Sequence, residues 1–382
     1  MTYTFDYISK GLRGMIEPAT LRSHKFDETL GYRTFTNVYV APFSDWEESI
    51  GCILDESGQI IKDSGCIEWI ENAAFYNIND SLHEHKKVIF LGFILTGFGH
   101  SYTDDLRKLW FLKTDEYKAL IQDGFEPVYT TTLNQPIPQA VLDVFSLAGV
   151  GLGNARLITT LTQFDEVIIP DNCYRATPYG RVYCQEYIDL IDCIKSAVPC
   201  SKDSIPKVYF TRSAFSSKTH KDLGEKEIEK VFHKLGYTII IPENHSVIEQ
   251  IQMVRDCDHF AATEGSVSHL SLFCKPHTDV VIINKANYLN FHQVMVNEFA
   301  DLDVTYIEAH HSSMANEEYP WWGPFYLYAT RHLERFVRHP ILHIPYWARF
   351  SYWAYRGNSL YKFISTIRDA VYRCLPCSPR CR

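Results

Sequence analysis

No stretch of about 20 consecutive apolar residues occurs in this chain of 382 residues, so no membrane-spanning helix is expected. The opening MTYTFDYISKGLRGMIEP has no apolar core of the secretory type. There is no internal repeat and no low-complexity tract, which excludes a solenoid or a tail-like polymer. A Gly-x-Ser-x-Gly elbow is missing, so a hydrolase built on Ser266 or Ser268 is not expected. Cys374 and Cys377 stand at zinc-knuckle spacing in CLPCSPRC, with Cys381 beyond, but no second pair lies near them. The eleven cysteines are otherwise mostly single, and with the missing leader they favour a reduced, cytoplasmic protein.

What is present is enough apolar and aromatic material, 46% and 14% of the chain, for sizeable cores, and the length suggests two domains. The net charge of −9 hides an asymmetry. From Arg331 to Arg382 ten Lys/Arg face two Asp/Glu, a tail of +8. Its arginines interleave with Trp347, Phe350, Tyr352, Trp353, Tyr355 and Phe363. Two readings stay open: a segment resting on an anionic membrane, or a helical tail packed on the body with a solvated basic face. The acidic remainder argues against nucleic acid.

Along the chain, KKVIFLGFIL from Lys86 reads as a buried strand, and SYTDDLRKLWFLKTD after it as a helix. PQAVLDVFSLAGV and EYIDLIDCIKSAV read as helices, and EVIIP as a short strand between them. From Lys207 strands and helices alternate: KVYFTR, GEKEIEKVFHKLG, YTIIIP, SVIEQIQMVRDC, HFAAT, SVSHLSLFC, DVVIIN. That alternation implies βαβ units and a parallel sheet, whose ligands sit at the carboxyl ends of the strands. GVGLGN at Gly149–Asn154 imitates a dinucleotide fingerprint, but it follows a helix, so it reads as a helix stop. Asp256–Asp258 and Asp301–Asp303 imitate a metal-holding Asp-x-Asp without further ligands, and no metal is assigned.

Three places carry chemistry. YFTRSAFSSKTHKDLGE ends a strand at Arg212 and follows it with hydroxyls, Lys218 and Lys221, a set suited to a diphosphate. TEGSVSH places Glu264, Gly265, Ser266, Ser268 and His269 at a strand-to-helix turn. There backbone N–H groups and hydroxyls suit phosphate, and Gly265 allows close approach. In GFGHSYTDDLRKLWF, His100 and Asp104 are four apart, and either can serve as a general base. The bland readings are a solvated basic loop, plain capping by Ser266, and a cap with a helix-terminal charge.

Together these blocks resemble glycosyltransferase family 61, which includes bacterial capsular-polysaccharide transferases and eukaryotic relatives that add xylose or N-acetylglucosamine. The first block aligns His100, Asp104, Leu106 and Leu109. The second aligns Arg212, Lys221, Glu225 and Glu227, and the third, the most specific, aligns Glu249, Gln250 and Gly265. The likeness covers about residues 86 to 290. The family often carries His-Gly-Ala-Gly where this chain has Glu264-Gly265-Ser266-Val267, asparagine where Gly224 stands, and arginine where Lys221 stands.

The resemblance implies an α/β, GT-B-like fold of two Rossmann-like lobes facing a cleft. They would be an acceptor-side lobe over 1–195 and a donor lobe over 196–312, followed by the basic tail 313–382, with residues 315 to 350 crossing back. It implies an inverting, metal-independent transfer of a sugar from a nucleotide-sugar, expected to be UDP-linked, to a glycan hydroxyl in surface or capsular polysaccharide synthesis. No cofactor is implied. Arg212, Lys218, Lys221 and the turn from Glu264 to His269 would hold the donor, with Glu249 on the ribose or sugar. Asp104 or His100 would be the base. The alternative is a glycan- or nucleotide-binding protein that kept the fold without turnover.

Overall fold

The computed structural model describes residues 1–45, 51–62, 64, 76–201, 203–214, 222–310 and 325–338. Most of the basic tail, the cysteines of CLPCSPRC, Lys218 and Lys221 lie outside the described residues.

Strand β1 (Thr2–Tyr7) and helix α1 (Lys10–Thr20) open the chain, followed by β2 (Tyr32–Ala41), β3 (Cys52–Leu54) and the long β4 (Leu82–Ile94). Next come α2 (Asp115–Gln122), β5 (Glu126–Thr131), α3 (Gln139–Leu147), β6 (Arg156–Leu157) and β7 (Thr162–Pro170). A hairpin of β8 (Tyr174–Thr177) and β9 (Gly180–Tyr183) leads into α4 (Gln185–Ala197). The second half runs β10 (Lys207–Phe210), β11 (Asp222–Leu223), α5 (Glu225–Lys234), β12 (Thr238–Ile240), α6 (Val247–Asp256), β13 (His259–Thr263), β14 (Asp279–Asn284), α7 (Phe291–Phe299) and β15 (Asp303–Glu308). β16 (Phe325–Tyr326) and α8 (Arg331–Val337) close it.

Two six-stranded sheets result, the first ordered β3-β2-β7-β4-β5-β6 and the second β1-β15-β14-β13-β10-β12. In the second every pairing is parallel, because each strand is returned by a crossover helix or loop. From β10 the chain goes one way to β12 and then returns to β13 on the other side. That reversal opens a crevice between the carboxyl ends of β10 and β13. The first sheet is parallel only from β7 through β6, with β2 and β3 antiparallel at its edge. There β4 has β5 on one side and β7 on the other, the same reversal.

β1 belongs to the second sheet although it begins the chain. Leu333 and Val337 of α8 share an apolar cluster with Ile307 of β15 and Ala309 just after it. One apolar cluster joins both sheets, from Ile89 and Leu91 through Val144 and Ile191 to Val208 and Phe260. The interior is therefore continuous where α3, α4 and α6 lie.

The expected helix over SYTDDLRKLWFLKTD is replaced by two short 3₁₀ turns, Asp104–Leu106 and Leu109–Lys113, with a third, Phe98–His100, just before it. The ladder breaks at Thr103, with φ −121° and ψ −101°. There Asp105 accepts from the Leu95 N–H at 2.7 Å and Arg107 Nε donates to the Asp104 carbonyl at 2.8 Å. SVSHLSLFC likewise forms a 3₁₀ segment, Ser268–Phe273. Gly149, at φ +70°, does terminate α3.

Candidate active site

Five segments converge where the carboxyl ends of the two sheets meet. On one side are the segment after β4 of the first sheet, carrying His100 and Asp104, and the separate two-stranded β8–β9 hairpin, carrying Tyr174 and Arg181. From the second sheet come the segments after β10 (Arg212), β13 (Glu264–His269) and β14 (Lys285 to His292). The segments pack tightly at Gly99, where an added Cβ would lie 2.9 Å from Ser266 Cα and would collide with the Ser266 side chain. Beside it the Tyr102 hydroxyl donates to the Ser266 carbonyl at 2.6 Å. Gly99→Ala is expected to cost about 1–3 kcal/mol through overpacking. A lower melting temperature checks this.

On the first-sheet side, Asp104 is buried and charged. Its Oδ2 accepts from His100 Nδ1 at 2.7 Å, and its Oδ1 lies 3.7 Å from Arg181 Nη1. His292 Nε2, arriving from α7, is 3.8 Å from Oδ2. Burial alone would push the Asp104 carboxyl up, but His292, Arg181 and His100 hold it well below the ordinary carboxylate range. His292 itself is held well below the ordinary imidazole value by burial. The site thus contains an ionised Asp104, and His292 Nδ1 meets the Tyr174 hydroxyl at 2.6 Å.

His100 differs: 44% of its side chain is exposed. Burial against the cleft wall pulls its pKa down, but the Asp104 hydrogen bond and charge outweigh that and raise it above the ordinary value. A carboxylate accepting from Nδ1 fixes the proton there and leaves Nε2 as the basic atom. Neighbouring Asp105 is buried, its carboxyl pushed up to about 7 by burial. Its bond to the Leu95 N–H fixes the loop that carries His100.

On the second-sheet side, Gly265 has φ +136°, a conformation only glycine adopts without strain. An added Cβ would lie 3.4 Å from Lys285 Nζ and 4.0 Å from Arg212 Nη1, so two cations flank this turn. Lys285 lies beneath it, over the Phe325 ring at 4.2 Å. The Gly265 N–H donates to Ser268 Oγ, and the Ser268 and His269 amides donate to the Gly265 carbonyl. The Ser266 and Val267 amides have no acceptor among the described residues. Two donors therefore remain for an anion.

Glu225 bolts this crevice together. Its buried carboxylate accepts from the Tyr209 hydroxyl at 2.5 Å, from Thr263 Oγ1 at 2.9 Å and from the Arg212 N–H at 3.3 Å. It thereby ties the ends of β10 and β13. Gly224, where the resemblance expects asparagine, has φ +88°, and a Cβ there would run into the Leu327 carbonyl.

Several expected donor ligands turn out otherwise. Ser268 is fully buried and its hydroxyl is held at Gln293 Oε1, 2.6 Å away, because α7 packs directly behind the turn. The Ser266 side chain packs on Gly99. Glu249 is exposed and closes a capping box with Ser246, accepting its N–H at 2.7 Å and its hydroxyl at 2.8 Å. Capping accounts for Glu249 without a ligand. His269 is buried beside His292, and burial pushes its pKa down to about 4. With Asn290 Nδ2 donating to Nε2 at 3.2 Å, its own proton sits on Nδ1. It brings a hydrogen bond and no charge.

Glu264 is buried too, and burial pushes its carboxyl up to about 8 against the pull of Lys285 and Asn284. Between the ordinary carboxylate value and about 8 the folded chain keeps a proton that the unfolded chain gives up. Stability therefore falls as pH rises across that window. Glu264→Gln is expected to remove this slope from a plot of melting temperature against pH.

Arg181, Tyr174, Lys285, Glu225 as a bolt and His292 escape a reading of the sequence. His292 in NFHQVM sits 188 positions from Asp104 with no local signal, and only the meeting of the sheets joins them. Lys285 has a faint one, as the first charged residue after the apolar run DVVIIN. The two Asp-x-Asp imitations carry other partners: Asp256 binds Arg255 and the Ser201 N–H, and Asp301 and Asp303 meet the chain N-terminus and Thr2.

Residues 98–281 match the family described as glycosyltransferase 61, a span that includes His100, Asp104, Arg212 and the Gly265 turn. No curated protein matches the chain. Among solved structures the chain is similar to TibC, a bacterial iron-containing dodecameric glycosyltransferase from enterotoxigenic E. coli H10407. The identity is 14% and the TM-score 0.25, over 68% of this chain and 79% of that one. So slight a likeness carries no argument about this site.

Proposed function

Since the chain belongs to glycosyltransferase family 61 and is a glycosyltransferase, we propose that it transfers a sugar from a UDP-linked donor to a glycan hydroxyl with inversion, without a metal, on a GT-B-like pair of lobes. The observation that carries this reading is the pairing across one cleft of a base with a cationic turn. His100 is oriented by Asp104 at 2.7 Å, and Gly265 is flanked by Arg212 and Lys285.

In this scheme Nε2 of His100 takes the proton from the acceptor hydroxyl as its oxygen attacks the anomeric carbon. Asp104 holds the proton on Nδ1 and stabilises the imidazolium that forms. The bond from the anomeric carbon to the donor phosphate oxygen breaks on the opposite face. Arg212, Lys285 and the amides of Ser266 and Val267 receive the departing diphosphate charge, the task a divalent cation performs elsewhere. A single oriented base, with no second carboxylate placed as a nucleophile among the described residues, supports single displacement and hence inversion. Polysaccharide synthesis as the setting, and contact of the basic tail with an anionic membrane, belong to the same proposal. No helix among the described residues is long and apolar enough to cross a membrane.

Thermal unfolding with a panel of nucleoside diphosphates and nucleotide-sugars, with and without EDTA, tests the donor half. Binding to the folded state raises the melting temperature by mass action. A shift with uridine diphosphate and one UDP-sugar that survives EDTA is expected. Absence of any shift would contradict the reading.

A further inference from the structure

A second cluster of ligating side chains lies at the other end of β4. His83 and His85 are alternate residues of that strand and share a face. β7 runs beside them in parallel, with His83 opposite Gln163 and Glu84 opposite Phe164, and Asp165 comes next. The register then shifts between Glu84 and Lys87. At that irregularity His83 Nε2 and His85 Nδ1 each lie 3.3 Å from the same Asp165 oxygen, Oδ1. The two imidazole rings are 4.4 Å apart, and the three ligand atoms all fall within 4.8 Å of one another.

We propose that His83, His85 and Asp165 form a zinc site, separate from the transfer site, that clips β4 to β7 across the register shift. The spacing is the first reason. Two ligands at about 2.0–2.1 Å from a tetrahedral zinc stand about 3.3–3.4 Å apart, whereas a good N–H···O hydrogen bond is about 2.9–3.0 Å. The donor set is the second: two imidazole nitrogens and one carboxylate oxygen suit zinc among the divalent metals, with water in the fourth position. Access is the third. The side chains are 46%, 81% and 44% exposed, so an ion enters without opening the fold and the rings turn freely to close the remaining edge. The transfer site follows the opposite end of this 13-residue strand. From His83 and His85 to Ile94 are eleven and nine residues, roughly 30–36 Å at about 3.3 Å per residue, so the ion would have no part in transfer.

The full chain, stripped with a chelator and then titrated with zinc chloride against a chromophoric chelator, tests this. The wild type is expected to bind one more equivalent than the His83→Ala/His85→Ala double variant. Each single histidine variant is expected to weaken that equivalent by about 100-fold or more, beyond an outer-shell effect. Asp165→Asn should weaken it as well, and His233→Ala, an exposed histidine elsewhere, should not. Zinc should raise the melting temperature of the wild type and leave that of the double variant unmoved. Equal zinc stoichiometry and affinity in wild type and double variant, or no zinc bound by the wild type, would overturn the proposal.

Discussion

His100→Ala is expected to lower kcat by about 10²–10⁴-fold, the contribution of a positioned general base, while leaving nucleotide affinity unchanged. The side chain is the exposed member of its cluster, and its removal uncovers no buried partner except Asp104, which keeps Arg181. Asp104→Asn is expected to lower kcat comparably for a different reason. An amide can present its NH₂ to Nδ1 and so favour the wrong tautomer, with the proton on Nε2.

The two variants separate by pH. In the wild type the base must be neutral, so kcat climbs with pH through the His100 pKa, which lies above the ordinary imidazole value because of Asp104. Without that charge burial prevails and the pKa falls. The residual activity of Asp104→Asn should therefore show its acidic limb at lower pH than the wild type. A limb that stays in place in pH–rate profiles would mean that some other group sets it.

Arg212→Ala is expected to weaken nucleoside diphosphate binding by about 10–100-fold, from the loss of charge-assisted hydrogen bonds of about 1.5–3 kcal/mol. The backbone of Arg212 is fixed by Glu225, so the alanine variant should fold with the crevice intact. Arg212→Lys keeps the charge without the planar fork and should recover part of the affinity. Isothermal titration with uridine diphosphate reads both. Unaltered affinity in Arg212→Ala would transfer the anion-holding role to Lys285.

The second sheet was legible in the sequence because its strands and helices alternate with clean boundaries. Helix α5 ends on Gly236 at φ +84°, as its C-terminal glycine suggests, and α6 opens on the Ser246 capping box. The first half was harder. β1 pairs with β15 some 300 residues away, and no local pattern reveals a strand's partner at that distance. The segment after His100 has helical apolar spacing, but Asp105 and Arg107 bond to the backbone instead and break it into 3₁₀ turns.

At the site, His100–Asp104 and Arg212–Gly265 were each visible as local motifs. Their meeting across Gly99 and Ser266 was not, and neither were the residues that tune them: His292, Arg181 and Lys285. Ser268 and Glu249 show the opposite failure. Their types and positions suit a ligand, but internal hydrogen bonds to Gln293 and Ser246 occupy them. A hydroxyl or carboxylate near a helix start satisfies the backbone first.

The most direct measurement is product analysis by NMR. The protein, in EDTA, would be incubated with a panel of UDP-sugars and a glycan acceptor array, with His100→Ala alongside. The expected result is consumption of one donor, a new glycosidic bond of anomeric configuration opposite to the donor's, and almost no product from the variant. Retained configuration, or full product from His100→Ala, would contradict the assignment of His100 as the base in a single inverting displacement.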